Sequence, residues 1–198
     1  GNVYVTNKAK LTIEPGTVII ADAESKASLI ITKGASIHAE GTETDPIVFT
    51  SSRSIRKAGD WGGILLLGDA PINKFGNSAS ANFDLDAAFT TYGGSNSASN
   101  SGILRYVRIE FAGAKVKGFG NFNALFLGGV GNQTSIENVH LHQVGETVMW
   151  TLAKQLFETI PCFSKRFIKP LREFHDFVLE KRGFGRREEF INKLLNQI

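Results

Sequence analysis

Cysteine is nearly absent. Cys162 is the single one in 198 residues, so the chain forms no intrachain disulfide and offers no thiolate cluster to a metal. Proline is sparse, at five, and methionine occurs once. No apolar run reaches the roughly 20 residues that a membrane-crossing helix needs. A net charge of +3 is too small to mark a nucleic-acid binder. The nucleophile elbow, the Gly-rich phosphate loop and the HExxH zinc pair are all missing. No signal-peptide pattern opens the chain, which starts at Gly1 and is already strand-like at Val3-Tyr4-Val5. Such a start reads as a trimmed or partial chain.

What is abundant points to architecture. The 21 glycines suit a fold of frequent tight corners, where positive φ is needed, and 42% hydrophobic content supports a packed core. One phrase occurs twice. Leu11-Thr12-Ile13-Glu14-Pro15-Gly16-Thr17-Val18-Ile19 returns as Leu29-Ile30-Ile31-Thr32-Lys33-Gly34-Ala35-Ser36-Ile37. The offset is about 18 residues, a spacing at which solenoid repeats are suspected. Each copy is a short alternating strand, a Gly turn and a second strand, with no room for a helix. A unit of this kind buries its apolar side only by stacking on another. The copies are expected to be two successive coils of a parallel β-solenoid, a mainly β fold.

Further strands follow the same alternation. Pro46 opens Ile47–Thr50, and Trp61-Gly62-Gly63 leads into Ile64–Leu67, a run apolar enough for burial on both faces. Asn73 to Asn100 is rich in Ser, Asn, Ala and Gly, long for a loop in a compact domain, and reads as an excursion from one corner. Regular alternation resumes at Ile103–Phe111 and recurs at Ser135–His142. Laying the second run on the first sets Val107 over Val139, Ile109 over Leu141, Arg108 over His140 and Glu110 over His142. It also sets Arg105 over Glu137, a complementary pair at the roughly 4.8 Å spacing of stacked strands.

After residue 145 the periodicity changes. Met149, Leu152, Ala153, Leu156, Phe157 and Ile160 keep helical spacing, Pro161 ends that run, and two further amphipathic stretches follow. Residues 1–145 are therefore expected to form the solenoid, and 146–198 a helical appendage. Twelve basic and twelve acidic residues fall in the first part, leaving the positive excess in the second. The appendage either caps the open end of the solenoid, where unpaired strands invite aggregation, or serves as a partner-binding or oligomerising module, given its many Phe.

The phrases Leu11–Thr17, Gly34-Ala35 through Ala39–Thr42, Pro46–Ser51, Trp61–Gly63, Leu104–Gly113 and Leu127–Gly131 resemble right-handed parallel β-helix proteins of pectate-lyase-like architecture. The likeness is nearest to a largely uncharacterised group of secreted or surface-exposed bacterial proteins. It covers about two-thirds of the chain. The resemblance implies an exported solenoid used for display, adhesion or glycan contact, and it brings no established catalytic residues. Relatives of this kind continue with an acidic-Gly and a Trp-Phe-Gly-Gly segment, where this chain has Gly145-Glu146-Thr147-Val148-Met149-Trp150.

Four groups of residues carry candidate chemistry. The alignment of the repeated phrase stacks Asp22 on Glu40, and two stacked carboxylates share a proton or hold a hard cation; the plainer reading is two solvated corners. His140 and His142 lie on one outer strand roughly 7 Å apart, with Glu110 beside them, a donor set suited to zinc or to an exposed polar face. Asp84 and Asp86 in the long excursion offer oxygens to calcium, although the twelve-residue calcium loop is missing, and apart from that cation no cofactor is expected. Tyr92 offers a platform for sugar, against the plainer reading of a mobile polar loop. Glycosidic chemistry needs acids converging on one groove, and nothing in the spacing gathers Asp60, Asp69, Asp84, Asp86 and Glu110 together.

The sequence thus favours a non-catalytic exported β-helix for display, adhesion or glycan binding, partnered by a glycan or a surface protein. A carbohydrate-active enzyme on the same scaffold is the alternative by fold analogy, and a partner-recruiting tail is the third reading.

Overall fold

The computed structural model describes residues 1–81, 83–116, 118, 120–145 and 148–151, the last four as backbone alone. The sequence dictates short strands, because corners such as Asn7, Gly16, residues 22–26, Gly34 and Gly41 end the alternating runs. Three such strands make one coil. The first coil holds β1 (Val3–Val5), β2 (Lys10–Ile13) and β3 (Val18–Ala21); the second holds β4 (Ser28–Ile31), β5 (Ser36–Glu40) and β6 (Ile47–Ser51). β7 (Gly63–Leu67) opens the third coil. After the excursion, with β8 (Ala79–Ser80) and β9 (Thr91–Tyr92), that coil is completed by β10 (Gly102–Glu110). An antiparallel pair, β11 (Lys115–Val116) and β12 (Gly120–Asn121), precedes β13 (Leu125–Gly128), β14 (Ser135–His142) and β15 (Val148–Thr151).

Every pairing between coils is parallel. The first face stacks β1, β4, β7, β13 and β15. The second stacks β2, β5 and the first halves of β10 and β14; the third stacks β3, β6 and their second halves. The single long strands β10 and β14 span two faces by bending at Tyr106 (φ 49°) and Asn138 (φ 52°). The chain is thus mainly β, with no α-helix among the described residues. This bears out the parallel solenoid.

Two expectations are corrected. The repeated phrase does not join successive coils: Leu11 pairs with Ile37, while Leu29 pairs with Val3 and Ile64. The phrase covers two strands and a corner, whereas a coil has three strands, so the alignment lays one face of the first coil on a different face of the second. The other correction concerns Val148–Thr151. Helical spacing counts Met149 as the head of a helix, yet the segment is a strand in register with Leu125–Gly128. Leu127 opposite Trp150 continues the first face by one further rung. The remaining positions read as the helical appendage, 146–147 and 152–198, lie outside the described residues.

Like stacks on like inside. Ile19, Phe49, Ile109 and Leu141 form one inward row, and Leu29, Ile64 and Leu125 another. The offset expected between β10 and β14 holds at every predicted pair, Arg105 over Glu137 included. A second apolar layer lies outside the first face. Tyr4, Ile30, Leu65 and Phe126 stack outward in register and are covered by Ile72, Ala79, Ala81, Phe83, Tyr92 and Phe122. The excursion read as a polar loop is therefore an apolar cover. It explains why Leu65 and Leu67 are buried as completely as Ile64 and Leu66.

Candidate functional site

With the first face covered, the third presents a polar strip. Its outward positions on β10 are Arg108 and Glu110, and in register on β14 stand His140 and His142. The strip is well braced. Glu110 Oε1 accepts from Arg108 Nη2 at 2.7 Å, Oε2 accepts from Thr50 Oγ1 at 3.1 Å, and the Glu110 carbonyl accepts from Trp61 Nε1 at 2.7 Å. The Glu110 side chain is 12% exposed and that of Arg108 44%, so the acid is held inward while the guanidinium reaches solvent. The His140 and His142 rings lie 5.9 Å apart, and Phe111 meets His142 edge-on at 5.8 Å.

Sequence reasoning thus placed Glu110, His140 and His142 on one face correctly. It did not foresee that both Glu110 oxygens are engaged, by Arg108 and Thr50. Among the described residues no group of three or more His, Cys, Asp or Glu is placed to hold a metal ion. Asp84 is exposed at φ 61°. Asp86 caps the short turn Ala87–Phe89, its Oδ1 accepting from Ala88 N at 3.0 Å.

The Asp22/Glu40 stack fails with the register that suggested it. Glu40 sits beside Arg105 instead, its Oε2 3.1 Å from Nη1, and Arg105 Nε lies 3.2 Å from Glu137 Oε2. Arg105 thereby ties three rungs together on the second face. These side chains are 38–44% exposed, and exposed pairs contribute about 0.2–1 kcal/mol each. Arg105→Ala is expected to cost about 1 kcal/mol in low-salt urea unfolding, with the deficit shrinking in molar salt; a salt-independent deficit would assign the loss to the packed stem.

Asp22 is a corner residue. Its carboxylate accepts from the Ser25 hydroxyl, from Ser25 N at 3.2 Å and from Glu24 N at 3.3 Å. Chiefly the Ser25 hydroxyl, then these amides, lower its pKa below the ordinary aspartate value. A lowered folded pKa adds stability above the unfolded pKa, and that increment is lost as pH falls through the folded one. Asp22→Asn should therefore narrow its gap to the wild type as acid is added, read as thermal midpoint against pH; parallel profiles would rule the linkage out.

Tyr92 is not a sugar platform. It is 5% exposed and meets Phe126 edge-on at 5.6 Å within the apolar cover. The acids considered for glycosidic chemistry do not converge either. Asp60 Oδ2 accepts from Ser51 Oγ at 2.7 Å and from Lys57 N at 3.0 Å, while Oδ1 faces Arg53 Nε at 3.4 Å. Its side chain is wholly buried, where it folds the basic loop after β6. Asp69 Oδ1 accepts from Asn96 Nδ2 at 3.4 Å, which ties the excursion back to its root. No sequence signal gave the backbone conformation of Tyr106 or Phe111, both at positive φ beside the polar strip.

Residues 1–148 match the family model described as the pectate-lyase like beta helix domain. The chain belongs to this family. No curated protein and no solved structure matches it. Membership accounts for the stacked parallel coils. In this member of the β-helix family the first outer face is covered and the charged, hydrogen-bonding surface lies on the second and third. Among the described residues no helix is long and apolar enough to cross a membrane.

Proposed function

We propose that this β-helix works outside the cell as a non-catalytic binding scaffold, and that the third outer face is where it meets a glycan. The observation that carries this reading is the state of the acids around the face. Glu110 has both carboxylate oxygens hydrogen-bonded, by Arg108 and Thr50, and Asp60 is wholly buried, with Oδ2 hydrogen-bonded to Ser51 and Lys57 and Oδ1 left without a hydrogen bond 3.4 Å from Arg53 Nε. Glu110 is turned inward and Asp60 is wholly buried, so neither presents a free carboxylate to a glycosidic bond. Arg108, His140 and His142 beside them remain partly exposed, and their donors suit sugar hydroxyls and carboxylates.

The test is a glycan array with the full chain, followed by product analysis on every glycan retained. Retention without new reducing ends or unsaturated products is the expected result, and chelation should leave it unchanged because the reading uses no metal. Turnover of a retained glycan, lost on Glu110→Gln or Asp60→Asn, would replace the scaffold reading with that of an enzyme.

A further inference from the structure

We propose that Tyr106 and Phe111 are the sugar-stacking platforms at the two ends of the third-face strip, an inference that rests on the glycan reading above. Both are bulky aromatic residues at positive φ, 49° and 60°. The left-handed region is uncommon for any residue but glycine and a clear outlier for bulky side chains. Strained positions persist where the surrounding structure imposes them, and they gather at functional sites.

The fold requires the bends but not the rings. One rung on, at the equivalent positions of the same register, the same two bends fall on Asn138 (φ 52°) and Gln143 (φ 47°). Asparagine tolerates this conformation far better than an aromatic does. Core packing does not account for the rings either. Both residues are partly exposed, and neither is among the side chains gathered in the two apolar clusters. Phe111 instead meets the His142 ring at 5.8 Å.

Their placement suggests a use. They bracket Val107–Glu110, so Arg108 and Glu110 lie between them, with His140 and His142 on the adjacent strand. The strand between them sets the two residues roughly 16 Å apart, the reach of a short oligosaccharide. Ring faces take the C–H faces of sugars at each end, while guanidinium and imidazole donors meet hydroxyls or carboxylates in the middle. A protein partner fits less well, because protein interfaces place apolar anchors at a dry centre and charge at the rim. Here the charge is central and the aromatics are at the ends.

The test exchanges each ring for its counterpart one rung on, Tyr106→Asn and Phe111→Gln, singly and together, in the full chain, with Tyr106→Phe as control. Thermal unfolding and titration with the best glycan from the array are the readouts. Expected are thermal midpoints at or above that of the wild type, affinity down about tenfold for each exchange, and a control that binds as the wild type does. Equal binding by wild type and double variant would overturn the platforms and leave the glycan reading standing. A wild type that retains no glycan would overturn both. A midpoint lowered by several degrees in Tyr106→Asn would make the ring a packing element and overturn the proposal, as would a surface protein bound through the same pair in place of sugar.

Discussion

Trp61→Ala should destabilise the β-helix by about 3–5 kcal/mol, the range for removing a buried Trp. Trp61 is 1% exposed and packs among the inward rows with Phe49, Ile64 and Ile109. It also lines a solvent-open pocket of about 680 Å³ together with Leu11, Ile13, Ile19, Leu29 and Phe49. A second loss adds to the first. The indole Nε1 donates to the Glu110 carbonyl at 2.7 Å, and an unpaired buried carbonyl costs about 1–3 kcal/mol. The backbone at Glu110 is where Arg108 and Thr50 find their acid, so the polar strip should loosen along with the core. Trp61→Phe separates the two effects: it keeps most of the ring volume and forfeits the hydrogen bond. Urea unfolding should give alanine the larger deficit and phenylalanine one nearer the hydrogen-bond cost. Equal deficits would show that the hydrogen bond, not the ring, is what the core depends on.

The parts of this fold that could be read from the chain are those where one row of residues answers another. Arg105 opposite Glu137 fixed the β10–β14 register because only one offset pairs the charges while keeping Val107, Ile109, Val139 and Leu141 inward. The coil length could not be read, because Leu-x-Ile followed by a Gly corner satisfies any of the three corners equally well. Leu11 and Leu29 look alike since each is the second residue of a strand, not since they stack. Charge made no distinction there: Asp22 and Glu40 are both plausible corner residues, and their actual partners, Ser25 and Arg105, lie 3 and 65 residues away.

The excursion was misread for a related reason. Its many Ser, Asn and Gly residues hide Phe83 and Tyr92, which with Ile72 just before it follow no period because irregular chain separates them. The available signal lay elsewhere. Ile30 and Leu65 point away from the core on strands whose inward neighbours are equally apolar, and outward apolar positions on a strand require a cover. The candidate site shared this limit. Glu110 and the two histidines followed from register, whereas the bends at Tyr106 and Phe111 are backbone states that no residue type announces.

Gly102→Ala is expected to be among the most damaging added methyls at the described glycines, on the order of 4–5 kcal/mol, at the extreme of point mutations. Gly102 begins β10 at φ +108°, and a Cβ there would lie 1.8 Å from the Ile37 carbonyl oxygen and 2.7 Å from the Ile37 nitrogen and carbonyl carbon. No side chain can move aside, because every obstacle is backbone. The strand must retreat. It would take with it the Ile37 N to Ser101 O hydrogen bond of 3.0 Å and the register that carries Arg105 to Glu40. The conformation alone is not the cause, and Gly76 makes that testable. It has φ +76° with nothing within 4 Å of its Cβ position, so Gly76→Ala incurs only the dihedral penalty of about 1–2 kcal/mol. Urea unfolding of the two variants should differ by several kcal/mol, with the Gly102 variant losing β5–β10 pairing in amide exchange. Similar deficits at both positions would mean that the second and third coils are not in the close contact from which the rest of the β-helix is registered.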